Sequence, residues 1–233
     1  NMYRYERPQR GRLREFWQLN VDIFGCDGFE ADMDIIESAI DVLRVFGADE
    51  TMFKVHINNR RFFNDVICAI SGADAEGAKL VSKVVDKKNK IPREVYEKEM
   101  GELGLGAEQI AKIDSLYGMS VTDACAICPD SRGAQELASL FDMLTKMGLD
   151  RYCTFDFGIV RGLDYYTGAV FEFIAEGIGA QSTVCGGGRY DGLVESLGGP
   201  ALSGIGFGMG ITRLILAMRE LGLDKVPEVR PAV

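Results

Sequence analysis

In the stretch WQLNVDIFG, Trp17, Leu19, Val21 and Ile23 alternate with Gln18, Asn20 and Asp22. A period of two predicts a strand with one apolar and one polar face. The apolar face must pack, so Gln18, Asn20 and Asp22 are left to meet solvent or a ligand. A first strand, from Tyr3, leads into it through an arginine-rich turn around Gly11. Beyond it, Ile36, Ile40 and Leu43 recur at helical spacing and predict an amphipathic helix, and the residues around Phe53 to Ile57 read as a short strand. The period then changes. From about Arg61 to Leu149 the pattern is helical, carries Lys83, Lys87, Lys88 and Lys90, and has a heptad-like apolar face of Leu137, Leu140, Phe141, Leu144 and Met147. Strand-like, glycine-punctuated sequence resumes at Arg151 and continues to about Met209. The expected organisation is a sheet domain begun by residues 1–60, interrupted by a helical insertion over 61–149, and completed by 150–233. The tail KVPEVRPAV reads as a linker leading onward.

The resumed region holds three dense motifs. IVRGLDYYTGAVFEF is a turn entering a strand, with Arg161, Asp164, Tyr165 and Tyr166 clustered around Gly162. CGGGRYDGL places consecutive glycines before Arg189, which allows close approach of a ligand or another strand. GIGFGMGITRLILAM has glycines at 204, 206, 208 and 210, followed by a helix with an expected buried stripe of Ile211, Leu214, Ile215 and Met218 and with Arg213 near its first turn. Its spacing is not the G-x-G-x-x-G of a dinucleotide fold, and no βαβ half follows. Glycine at every second strand position instead predicts a flat slot that could take a planar group such as adenine.

Composition narrows the chemistry. At 233 residues and 47% apolar content the chain can bury a full core. No apolar run approaches the roughly 18 residues of a membrane span, and a soluble, cytoplasmic protein is expected. The six cysteines are scattered, which favours reduced thiols. Cys125 and Cys128 form a C-x-x-C without a second pair, and the chain's one histidine, His56, lies far from it in sequence, so a structural role is expected for all three and no metal site. A net charge of -9 argues against coating nucleic acid by bulk electrostatics. It leaves room for a local anion site, because Arg4, Arg7, Arg10, Arg12 and Arg14 crowd the first turn of the chain with planar bidentate donors.

Taken in order, these segments resemble the histidyl-tRNA synthetases. MYRYERPQRGRLREFWQ is similar to that family's motif 2, VRGLDYYTG and VCGGGRYDGL to its two histidine signatures, and GIGFGMGITRL to its motif 3. The resemblance implies an α+β fold of the class II aminoacyl-tRNA synthetase type, an antiparallel sheet flanked by helices with a helical insertion. It also implies ATP as a substrate with Mg2+, histidine and tRNA(His) as partners, and a homodimer in the full-length protein. By the same resemblance Arg4 contacts the α-phosphate, Arg213 holds the γ-phosphate, and Arg12 is a further phosphate contact in the motif 2 loop. Glu6 reads the adenine amino group and Phe16 lies under the ring. Gln18 and Arg161 lie near the substrate carboxylate, Arg161 in the place of a catalytic cation. Asp22 and Tyr166 read the imidazole, and Tyr165 lines the same pocket. The chemistry agrees with these residue types: attack of a carboxylate on a phosphate brings anions together, and guanidinium groups offset the repulsion.

Three departures from the family pattern stand out. Asp22 is shorter than the glutamate common at that place, and Thr212 stands where a glutamate is common. The chain also opens inside the motif 2 strand, so motif 1 and the loop that takes the histidine amino group are expected to be missing. Two rival readings share the resemblance: a regulatory subunit of ATP phosphoribosyltransferase that binds histidine, and a synthetase-like sensor of uncharged tRNA. Such paralogues tend to lose ATP-site arginines, whereas Arg4, Arg161 and Arg213 are present.

Overall fold

The computed structural model describes residues 1–5, 7–8, 13–88, 90–159, 165–175 and 182–224. Two short strands, β1 (Met2–Tyr3) and β2 (Glu15–Phe16), pair antiparallel and carry the chain into β3 (Gln18–Phe24). Then follow α1 (Phe29–Val45) and β4 (Phe53–Asn59). Six helices come next: α2 (Arg60–Ser71), α3 (Ala75–Val85), α4 (Arg93–Glu102), α5 (Ala107–Ser115), α6 (Val121–Cys125) and α7 (Arg132–Lys146). The chain then forms β5 (Cys153–Phe155), β6 (Ala169–Ala175), β7 (Thr183–Arg189), α8 (Leu193–Ser196), β8 (Gly204–Gly210) and α9 (Ile211–Glu220).

Among the described residues, six strands form one sheet in the order β3-β8-β7-β6-β4-β5, antiparallel throughout except for the β4–β5 pair. The mixed α+β architecture with its helix-flanked antiparallel sheet is the class II arrangement expected. One hydrophobic cluster runs from the sheet, through Phe171, Phe173 and Ile205, into the helices at Ile36, Phe62, Tyr96, Ile113 and Leu137. Among the described residues, no helix is long and apolar enough to cross a membrane.

Local chemistry explains the boundaries. Asn59 ends β4 and starts α2 by accepting hydrogen bonds from the Arg61 and Phe62 amides at 2.9 and 3.1 Å, which satisfies donors that a helix start leaves free. Its Nδ2 donates to Glu136 at 3.0 Å, so the same side chain ties the strand end to α7. Leu137, Leu140 and Leu144 are buried as the helical period requires.

Three apolar assignments fail, two of them at element ends. Trp17 is 67% exposed, because β3 begins at Gln18 and Trp17 sits in the join to β2. Met147 is 43% exposed at the C-terminal cap of α7, one position past the helix. In α9 the buried positions are Leu214 and Ala217, while Ile215 is 43% exposed. Only one narrow stripe of this helix meets the sheet, and Ile215 falls beside it.

Candidate functional site

The registers of the sheet align one row of residues on a single face. Asn20 lies opposite Gly208, Gly208 opposite Gly186, Gly186 opposite Glu172, Glu172 opposite His56, and His56 opposite Thr154. Directly paired residues project to the same side of a sheet. The polar face of β3 is therefore the edge of a floor that has glycine at its centre and a buried carboxylate, Glu172, beyond it.

Two clefts open over this floor and share Gln18, Gly186 and Gly208. The first is cationic. Arg4, Phe16, Thr183, Thr212 and Arg213 line it. The Arg4 guanidinium lies 4.1 Å from the centroid of the Phe16 ring, a cation–π contact, and its Nε donates to the Leu13 carbonyl at 3.3 Å. Arg213 reaches in from the first turn of α9 and donates to the Thr183 carbonyl at 2.8 Å.

The second cleft, of about 260 Å³, is lined by Gln18, Asn20, Asp22, Tyr165, Tyr166 and Tyr190 above Gly206. Gln18 Nε2 donates to Asn20 Oδ1 at 2.6 Å, and the Tyr190 hydroxyl donates to Asp22 Oδ1. The tyrosines form an aromatic wall: Tyr165 lies 4.8 Å from Tyr166 and meets Tyr190 edge-on at 6.1 Å. Burial, then the neighbouring Tyr165, pushes the Tyr166 phenol up; burial, then the bond to Asp22, does the same for Tyr190. Both phenols thus stay protonated near neutral pH and can donate.

The glycines of β8 do something other than leave a bare slot. A Cβ at Gly206 would stand 2.1 Å from Asp22 Oδ1, and one at Gly208 would stand 2.1 Å from Gln18 Nε2. The space along that face of the strand is taken by side chains folding over from β3. Open floor for a planar group lies instead at Gly186 and Gly210, where an added Cβ would meet nothing closer than 3.8 Å, on the side of Arg4 and Arg213.

Of the site residues expected from the sequence, the structure gathers Arg4, Phe16, Gln18 and Arg213 at one cleft and Gln18, Asp22, Tyr165 and Tyr166 at the other. Glu6, Arg12 and Arg161 lie outside the described residues. Sequence reasoning missed Tyr190 as a lining residue, although it stands inside the CGGGRYDGL motif; its partner Asp22 is 168 residues away. Thr183 was missed too. Arg189, from the same motif, turns away from both clefts. It is buried and bonds Asp32 at 2.8 Å, Asp191 at 3.2 Å and the carbonyls of Cys26 and Gly28, so it clamps β7 to the start of α1.

The remaining candidates are structural in their surroundings. His56 Nδ1 bonds Asp156 at 2.8 Å. Cys125 and Cys128 are free thiols raised by burial, and the Cys125 thiol donates to the Ala134 carbonyl. Among the described residues, no group of three or more His, Cys, Asp or Glu side chains could hold a metal ion.

Comparison with known proteins agrees on one relationship. A family profile described as histidyl-tRNA synthetase matches residues 1–214. The histidine–tRNA ligase of Leptospira biflexa is 37% identical over 216 residues, covering 90% of this chain and 48% of the relative. A histidyl-tRNA synthetase crystal structure from Nostoc sp. PCC 7120 superposes with a TM-score of 0.77 at 26% identity, over 90% of this chain and 52% of that one. A Bacillus halodurans structure titled as an ATP phosphoribosyltransferase regulatory subunit/histidyl-tRNA synthetase gives 0.73 at 26% identity, over 90% of this chain and 55% of that one. The chain thus spans about half the length of the proteins it matches.

Proposed function

Since the chain belongs to the histidyl-tRNA synthetase family, we propose that it carries the site at which histidine is activated by ATP for transfer to tRNA(His). One observation carries the proposal: an arginine-lined cleft and a cleft with a carboxylate and tyrosines share Gln18, Gly186 and Gly208, so ligands in the two would meet. ATP occupies the first, with Phe16 under the adenine, Glu6 on its amino group, Arg4 and Arg12 on phosphate, and Arg213 on the γ-phosphate. Histidine occupies the second, its imidazole between Asp22 and Tyr166 beside Tyr165, and its carboxylate toward Gln18 and Arg161.

In the reaction, a carboxylate oxygen of histidine attacks the α-phosphorus. The bond to the bridging oxygen of the β-phosphate breaks, and pyrophosphate leaves with that electron pair. Negative charge accumulates on the equatorial oxygens in an in-line displacement, and the protein's task is to hold both reactants and balance that charge with guanidinium groups. Arg4 and Arg161 do this at the reacting phosphorus. Mg2+ enters with ATP as part of the substrate. Transfer of histidyl to the 3′ end of tRNA(His) follows, in a homodimer of the full-length protein and in the cytoplasm.

Histidine-dependent exchange of labelled pyrophosphate into ATP tests the activation step. A regulatory module like the one named in the Bacillus halodurans title is the second reading, favoured by that superposition. It would bind histidine without exchange, and exchange that requires histidine excludes it.

A further inference from the structure

Asp22 lies on the edge strand of the sheet and is exposed, a position from which an aspartate side chain ordinarily rotates freely in water. Here one of its oxygens is taken. The Tyr190 hydroxyl donates to Oδ1, and Tyr190 itself is held on every side. It is 8% exposed, its amide donates to the Gly204 carbonyl at 2.7 Å, and its ring meets Tyr165 and Phe24 edge-on at 6.1 and 6.2 Å. The glycines of β8 make room for both partners: a Cβ at Gly204 would stand 2.5 Å from the Tyr190 ring, as one at Gly206 would stand 2.1 Å from Asp22. We propose that Tyr190 is a positioning residue that locks the Asp22 carboxylate, leaving Oδ2 as the acceptor for a single imidazole N–H and so setting the preference for a ring that has one.

A carboxylate has about four acceptor directions and offers them to any donor when it is free to turn. With Oδ1 committed to a phenol whose ring is packed against Tyr165 and Phe24, the carboxylate is oriented before a ligand arrives, and the ordering cost at binding falls. A ring without an N–H would leave Oδ2 unpaired against the floor of the cleft, which is the condition under which a polar site rejects an analogue. The inference rests on the proposed reading of Asp22 as the imidazole acceptor.

Tyr190→Phe removes the hydroxyl and keeps the ring. Calorimetric titration with histidine, with thiazolylalanine, whose ring has an acceptor nitrogen but no N–H, and with ATP separates the possibilities. The expected result is about a tenfold rise in the Kd for histidine, a matching fall in the preference for histidine over thiazolylalanine, and no change for ATP. In an Asp22→Ala background Tyr190→Phe should add nothing, because the interaction it serves is already gone. Additive losses in the double variant, an unchanged Kd in the single one, or a joint rise for histidine and ATP with a lowered melting temperature would overturn the role of Tyr190. If Asp22→Ala leaves histidine binding untouched, the reading of Asp22 itself fails. If Asp22→Ala weakens histidine and Tyr190→Phe does not, only the positioning role falls.

Discussion

Arg213 shows how much of a residue's role is set by its place on an element. It sits at the third position of α9, where the guanidinium of a first-turn residue can turn back over the strand that precedes the helix. It already lies in the cationic cleft against the Thr183 carbonyl. Arg213→Ala should weaken ATP binding by roughly 1.5 to 3 kcal/mol, the range for a hydrogen bond to a charged group, with histidine binding nearly unchanged. Calorimetry with each ligand checks this, and an equal loss for histidine would remove Arg213 from the nucleotide site. Gln18 and Asp22 were legible in the sequence because a two-residue period leaves nowhere else for alternate polar side chains to point. Tyr190 was not, since nothing local distinguishes a tyrosine that packs from one that orients a carboxylate on a distant strand.

At the scale of elements, two side-chain links hold the floor of the site in place. Arg189 and Asp32 join β7 to the first turn of α1, with side chains 7% and 9% exposed. Asp32→Ala would strand a buried guanidinium with Asp191 and two carbonyls as its remaining partners, and should cost about 3 kcal/mol of stability; urea unfolding at neutral pH measures it. The second link ties β4 to the turn after β5 through His56 and Asp156. Burial raises the Asp156 carboxyl, but the bonds from His56 and from the Gly158 amide outweigh it, and the net shift is downward. A carboxyl lowered in the folded state stabilises the fold above its unfolded value of about 4 and loses that contribution as pH falls through the folded value. The destabilisation caused by Asp156→Asn should therefore shrink as pH falls below about 4, in a series of urea melts. A deficit that persists undiminished at pH 2.5 would show that Asp156 acts through packing.

For the molecule as a whole, the helical run between β4 and β5 raises the question of how separate it is. We propose the division at residues 61–149 as a topological insertion rather than an independent unit of stability. Helix α7 packs on α1, α2 and β4, and one apolar cluster crosses from the helices into the sheet. Thermal unfolding should therefore be a single transition with equal calorimetric and van't Hoff enthalpies. Two resolved transitions would make the helices a domain in their own right. The acidic balance of -9 and the arginine-lined cleft are compatible for a related reason: net charge is a property of the whole surface, whereas phosphate binding depends on where a few guanidinium groups converge.

Sequence periodicity alone was enough for the strand–helix–strand opening, the helical middle and the return to strands. Backbone hydrogen bonding and burial of an apolar stripe are local demands that leave a local pattern, and the ordered motifs carried the family. What the tertiary structure decided is which of these segments lie side by side. The order β3-β8-β7-β6 puts Asp22 over Gly206, Gln18 over Gly208 and Tyr190 against Asp22, contacts between residues separated by most of the chain. A glycine at every second position in β8 announced that something must come close. Only the pairing register determined that side chains of β3 would take most of that space and leave open the part beside Arg4 and Arg213, because strand register is a long-range choice that no local period encodes.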